Sequence, residues 1–432
     1  MDQVNFWSRI RICPPGQELL PTVLPFVKRR KEARVLEPQS NALFFLLIVI
    51  FIALAWWMVA TKHLLFRLLA GCLAFLPAMT FGVMAVNKYY GYYPTWSAAW
   101  ADITNQGVNA PSRLPQTTLA AGRRRAGSQD QGSATLNGVQ QSGYTLRLSV
   151  TGPRSHITRV VYVYLPPQYF QAAYSRYRFP VIELLHGQPG EPQDWINVVG
   201  VTATLDELMA RKQAQPAVLV MPDANGGRRI SLQCLNQVRG PQDLTYLGLD
   251  LPARIAHLFR VQPPGPAWGV AGYSEGGFCA ANMALRLRGR YGFAGVLSGY
   301  FRPADNQLGH PARPVSPFGR DLALREQNTP LTALRKLPAG ALIPQFWLGA
   351  GSGNAQDAAA AELFWRELAP RQPGAPLILT PGGGHDMITW RAEIPLMLRW
   401  MTPRLARAAQ REAGPSRRLA LAARRPAGKQ PA

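Results

Sequence analysis

The hydrophobic pattern changes character along the chain. Residues 42–60, "ALFFLLIVIFIALAWWMVA", and residues 68–86, "LLAGCLAFLPAMTFGVMAV", carry no charge. Each is long enough to cross a bilayer as a helix, and Pro77 is tolerable inside a membrane helix. Trp56 and Trp57, then Tyr89, Tyr90, Tyr92 and Tyr93, stand where interfacial aromatics usually lie. A cleaved signal peptide is the alternative for the first run. It fits poorly, because about forty residues precede that run and no small-residue cleavage site closely follows it.

From residue 143 onward the apolar runs are shorter and follow a different rhythm. "YTLRLSV" comes first, and "RVVYVYLP" then alternates as a half-buried strand does. Six short apolar runs bounded by Gly or Pro follow at 180–186, 217–223, 267–273, 292–299, 344–351 and 376–380. Such runs suit strands buried on both faces. Helical patterns at 202–212, 243–259, 275–288, 358–368 and 390–405 separate several of them. Strands alternating with helices predict an α/β architecture, a mostly parallel sheet covered by helices on both faces.

Composition completes the division of the chain. The net charge of +23, from 47 Lys and Arg against 24 Asp and Glu, is concentrated in "KRRKEAR" at 28–34, "GRRRAG" at 122–127 and the segment after Met401. These runs read as solvated segments facing anionic headgroups or cell wall. They lack interleaved aromatics and any recognisable binding module, so nucleic acid is not an expected partner. Residues 1–41 are therefore read as a basic segment, 42–86 as two transmembrane helices, and 87–142 as an interfacial segment and a polar linker. Residues 143–402 form the globular domain and 403–432 a basic disordered tail. The positive-inside rule places "KRRKEAR" in the cytoplasm and returns the globular domain to the same side. Lys62 and Arg67 in the connecting loop leave the opposite orientation open.

The candidate chemistry centres on "GVAGYSEGGFCAANMAL" at 269–285, where an apolar strand runs into a helix through Gly272, Ser274 and Gly276. A Gly-x-Ser-x-Gly corner in that context is a nucleophile elbow, and the glycines leave room where the strand and helix backbones approach. A tight turn with no catalytic role is the simpler alternative. A serine nucleophile needs a base, and the base an orienting acid; in this arrangement the chain order is Ser, acid, His. Two histidines follow Ser274. His310 lies in an irregular stretch, whereas His385 lies in "LILTPGGGHDMITW", between a strand and a helix, and is the expected base. Asp357, at the start of a helix after "PQFWLGAG", is the expected acid, with a helix N-cap as its alternative role. Glu362 would lie inside that helix, and Asp386 beside the histidine points elsewhere. The oxyanion amides are expected on Glu275 and on Gln188, which follows the strand-ending "LLHG". His186 precedes the serine and is expected to be structural or to face substrate. No phosphate-binding loop, HExxH or Cys-x-x-Cys pattern is present, so no cofactor or metal is implied.

These segments resemble a known family. "ELLHGQPGEPQDW", "VLVMPDANGG", "QDLTYLGLDLPARI", "GVAGYSEGGFCAANMAL", "LGAGSGNAQD" and "GGGHDMITWR" occur in the order seen in the putative-esterase family, which includes esterase D, feruloyl esterases and secreted mycolyltransferases. The resemblance implies an α/β-hydrolase fold with Ser274, His385 and Asp357 as triad, oxyanion amides on Gln188 and Glu275, and Trp390 as the aromatic residue that follows the histidine and faces substrate. "GSGNAQD" matches a Gly-x-Gly-x-x-x-acid loop of the transferases, with Asp in place of Glu. The chain departs from those enzymes in its membrane helices and in having His186 where they carry an acidic residue. "NKYYGYYPTW" resembles membrane-anchored actinobacterial members whose hydrolase domain is outside, which implies an extracytoplasmic domain. "LAGC" at 69–72 looks like a lipoprotein attachment box, but inside a second span. Cys234 and Cys279 are either a disulfide suited to an oxidising compartment or two buried thiols. The expectation is a membrane-anchored serine hydrolase acting on an ester or acyl-lipid substrate. Its alternatives are an acyltransferase to an envelope sugar and a non-catalytic envelope-binding protein. The sequence leaves the oligomeric state open.

Overall fold

A computed structural model describes residues 36–104, 135–136, 139–140, 142–227, 231–304, 316–338 and 340–412. Helices α1 (Asn41–Ala60) and α2 (Leu64–Tyr90) form an antiparallel hairpin and are long and apolar enough to cross a membrane. Ser40 caps α1 by accepting from the Leu43 amide, and Lys88 near the end of α2 donates to Asn41 at the start of α1. Phe44 and Phe81 pack edge to face, centroids 5.1 Å apart. The second helix runs to Tyr90, past the expected end at 86. Cys72 lies inside it, a position unlike that of a lipid-attachment cysteine at a mature N-terminus. A third helix, α3 (Trp96–Thr104), stands inside the segment expected to be interfacial or linker.

The globular part is built on one eight-stranded sheet. Its strands are β1 (Tyr144–Thr151), β2 (Thr158–Leu165), β3 (Val181–Leu185), β4 (Val218–Pro222), β5 (Gly265–Tyr273), β6 (Tyr291–Leu297), β7 (Gln345–Gly351) and β8 (Leu377–Thr380). They lie in the order β8-β7-β6-β5-β3-β4-β2-β1. The pairs from β8 to β4 are parallel; β2 pairs antiparallel with β4 and with β1. The central strands are apolar almost throughout, because helices bury both of their faces. The helices after the linker are α4 (Asp194–Asn197), α5 (Val201–Ala210), α6 (Leu251–Leu258), α7 (Glu275–Arg286), α8 (Leu322–Gln327), α9 (Pro330–Lys336), α10 (Ala355–Leu368) and α11 (Met387–Glu412). One face of the sheet packs α6, α7, α9 and α10 through Ile255, Phe278, Leu334 and Phe364. The other packs α5 and α11 through Leu205, Ile394, Met397 and Met401.

Two differences from the sequence reading have physical causes. The stretch before α6 contains a π-helical segment, Tyr246–Asp250, with Tyr246 and Leu247 fully buried. The last helix continues to Glu412 instead of giving way to a tail near 402, because Leu405, Ala406 and Ala409 are buried.

Candidate active site

The parallel strands end along one edge of the sheet, and the loops there converge, as expected for a site at strand carboxyl ends. Ser274 follows β5 and opens α7 with φ 56° and ψ −121°, a strained conformation held by the surrounding packing. The two glycines of the corner are sterically required. A β-carbon at Gly272 would lie 2.2 Å from the Gly276 carbonyl oxygen, and one at Gly276 would lie 2.0 Å from the Leu185 carbonyl oxygen. The elbow therefore depends on β5, α7 and the end of β3 touching backbone to backbone.

His385 sits in the loop between β8 and α11. Its Nε2 lies 2.8 Å from Ser274 Oγ, and its Nδ1 lies 2.6 Å from Asp357 Oδ2. With the carboxylate accepting at Nδ1, Nε2 presents its lone pair to the serine hydroxyl. Asp357 is in the first turn of α10, but it is not the cap. Asn354 takes that place, its side chain accepting from the Gln356 and Asp357 amides (both 3.1 Å), so the Asp357 carboxylate is spent on His385. Glu362 pairs with Arg366 on the helix surface, and Asp386 accepts from the Thr389 amide (2.8 Å) at the start of α11. His310 lies outside the described residues.

Gln188 and Glu275 flank the serine. A β-carbon at Gly187 would stand 3.1 Å from Ser274 Cβ, so the loop after β3 runs directly past the serine, and Gln188 lines the same cleft. Glu275 is the first residue of α7, where a backbone N–H has no acceptor within the helix. Its side chain has a separate task. Buried at 3% exposure, it accepts from the Ser231 hydroxyl and the Gln233 amide (3.2 Å). Burial pushes its pKa up, partly offset by those hydrogen bonds. The same loop is tied to α7 by a disulfide between Cys234 and Cys279.

His186 does not face substrate. It is fully buried, its Nε2 accepts from the Ala224 amide (3.0 Å), and in that neutral ring Nδ1 donates to the Gly187 carbonyl (2.8 Å). Its role is to brace the loop carrying Gln188. Trp390 borders the cleft but is only 5% exposed. It stacks on Tyr273 (centroids 4.5 Å apart) and meets the His385 ring edge to face at 5.2 Å. It holds the imidazole more than it offers surface to a ligand. The cleft has a volume of about 210 Å3, and residues not expected there from the sequence also line it, among them Tyr90 and Tyr92, from the end of the second apolar helix and the turn after it. In the sequence they read only as interfacial aromatics. Among the described residues, no three His, Cys, Asp or Glu side chains cluster as a metal site would require.

A serine hydroxyl, an imidazole and a carboxylate linked in this way can generate an oxygen nucleophile and return the proton to a leaving group. Comparison with known proteins places the chain in a family. Residues 156–401 match the sequence profile of the family described as Putative esterase. An uncharacterized protein of Corynebacterium glutamicum is 27% identical over 251 residues, covering 57% of this chain and 57% of that protein. The chain thus spans little more than half the length of this curated relative. Among solved structures, a ferulic acid esterase is similar at a TM-score of 0.53 and 18% identity, over 61% of this chain and 99% of that one. An S-formylglutathione hydrolase from Agrobacterium tumefaciens is similar at 0.50 and 18%, over 64% of this chain and 99% of its own. At these identities the structural likenesses speak to the fold, which is that of the α/β-hydrolases.

Proposed function

The chain belongs to the putative-esterase family, and from that premise we propose that it is a membrane-anchored serine esterase with Ser274 as nucleophile, His385 as general base and Asp357 as the orienting acid. The observation that carries the reading is the unbroken hydrogen-bonded series from Ser274 Oγ through both His385 nitrogens to Asp357. Ser274 Oγ adds to the ester carbonyl carbon while its proton passes to Nε2. The amides of Gln188 and Glu275 hold the resulting oxyanion. Collapse breaks the carbon–oxygen bond to the alcohol, which leaves with the proton from His385. A water molecule, giving a proton to Nε2, then adds to the acyl carbon; collapse of that intermediate breaks its bond to Ser274 Oγ, which takes the proton back from Nε2 as the acid is released. Every proton in this cycle is carried by groups of the chain itself.

Hydrolysis is the reaction proposed, and the His385 side chain, 37% exposed, leaves water a path to the acyl-enzyme. The two apolar helices supply the anchor. The Cys234–Cys279 disulfide supports an extracytoplasmic position for the domain, since such bonds persist in oxidising compartments. The test is fluorophosphonate labelling of the full chain in detergent. Wild type is expected to label, and Ser274→Ala and His385→Ala to lose the label. A folded wild type that resists labelling would overturn the reading.

A further inference from the structure

Tyr90 and Tyr92 border the cleft that contains Ser274 although they belong to the membrane-helix hairpin and its exit turn. From that juxtaposition we propose that the substrate is a long-chain ester of a membrane lipid, drawn from the leaflet through a mouth formed by Tyr90, Tyr92 and Pro189. The proposal rests on the Ser274 esterase reading and names its substrate class.

The end of α2 is fastened to the catalytic domain. Gly91 turns the chain with φ 66°, and its carbonyl accepts from Arg391, which also donates to the carbonyls of Tyr92 (3.1 Å) and Val198 (2.9 Å). Tyr92 OH donates to the Pro189 carbonyl (3.3 Å), one residue from the Gln188 amide. Asn87, still inside α2, holds the Tyr93 backbone through both its amide and its carbonyl (2.8 and 3.0 Å). The cleft therefore has a fixed height relative to the span. Tyr89 and Tyr90, 77% and 47% exposed, mark that height as the aromatic belt at the headgroup level.

Helix α3 independently points the same way. Trp96, Trp100 and Ile103 share one exposed face at i, i+4 and i+7, whereas Asp102 accepts from Tyr93 OH and from Asn197 (3.1 Å). The domain thus turns an apolar, Trp-bearing face outward next to the span. Size decides where a long chain goes. A cleft of about 210 Å3 is smaller than the roughly 300–1,000 Å3 that encloses a drug-sized ligand, so it holds the ester group and leaves the remaining alkyl chain in the leaflet.

The test uses the full chain in phosphatidylcholine vesicles with two probes, a water-soluble ethyl fluorophosphonate and a hexadecyl fluorophosphonate dissolved in the bilayer. In Tyr90→Asp the ratio of hexadecyl to ethyl labelling rates is expected to fall about tenfold relative to wild type, equivalent to about 1.4 kcal/mol, and to return in Tyr90→Phe. An unchanged ratio, or a wild type labelled by the ethyl probe alone, overturns the lipid substrate and leaves the esterase reading standing. Labelling by neither probe overturns both. Should Tyr90→Asp lose the ethyl label through misfolding, Tyr90→Ser is read by the same ratio.

Discussion

Asn354 decides where the Asp357 carboxylate goes. By accepting from the amides of Gln356 and Asp357 it satisfies the start of α10, and the carboxylate beside it is left for His385 Nδ1 at 2.6 Å. Asn354→Ala is expected to cost about 1 kcal/mol as a lost cap. It also frees Asp357 to turn back onto the exposed amides, so kcat/KM toward a soluble ester should fall further than stability does. Asn354→Ser, which keeps the cap, should retain both; denaturant melts and ester kinetics compare the three proteins. Gly276→Ala is harsher, because its methyl group would meet the Leu185 carbonyl at 2.0 Å, and loss of fluorophosphonate labelling is expected. That Ser274, Asp357 and His385 would meet was legible in the sequence, because a serine–histidine–acid arrangement would draw those residue types in one order from the ends of β5, β7 and β8. The division of labour between Asn354 and Asp357 was not, since both residue types cap helices. Nor was the place of His186: a polar residue ending a strand has the same spelling whether it points into the cleft or beneath it.

Between elements, the loop after β4 is bound to α7 twice, by Glu275 accepting from Ser231 and Gln233 and by the Cys234–Cys279 bond, whose cysteines are 45 residues apart. Closing a loop of that length restricts the unfolded chain, and replacing both cysteines with alanine is expected to cost about 2–4 kcal/mol. A reductant should lower the wild-type melting temperature by the same mechanism and leave the double variant unchanged. The strands were legible because burial on both faces writes a short apolar run between glycines and prolines, and all eight sequence runs fall on strands of the sheet. The short helices α8 and α9 were not, since six or seven residues give too little periodicity to see. The overrun of α11 to Glu412 was hidden for another reason. "PRLARAAQRE" is basic and Ala-rich like a solvated tail, and only packing against the sheet reveals that Leu405, Ala406 and Ala409 are core.

Over the whole molecule, the apolar helices were legible from length and charge alone, but their attachment to the site was not: no sequence period reports that Arg391 reaches back to the carbonyls of Gly91 and Tyr92. The core makes a further demand that reaches beyond any one element. Glu183 lies fully buried in the centre of the sheet with Tyr291 OH donating to it at 2.8 Å, and burial raises its pKa to about 8. Burial likewise raises Glu393, which accepts from Thr380 at 2.9 Å, to about 8. Both carboxyls keep their protons in the folded protein at neutral pH. Below about pH 4.5 the unfolded chain keeps them too; above it the unfolded chain releases protons that the folded chain retains. Folded stability should accordingly be greatest at the acidic end of this window, decline as pH rises from about 4.5 to about 8, and level off beyond. Glu183→Gln mimics the protonated group at every pH and removes its share of that slope. Its melting temperature should match wild type near pH 5 and exceed it at pH 8, and a pair of thermal scans in detergent at those two pH values checks the sign. An equal decline in both proteins would mean that Glu183 is ionised in the folded core, with a charge that Tyr291 alone would have to stabilise.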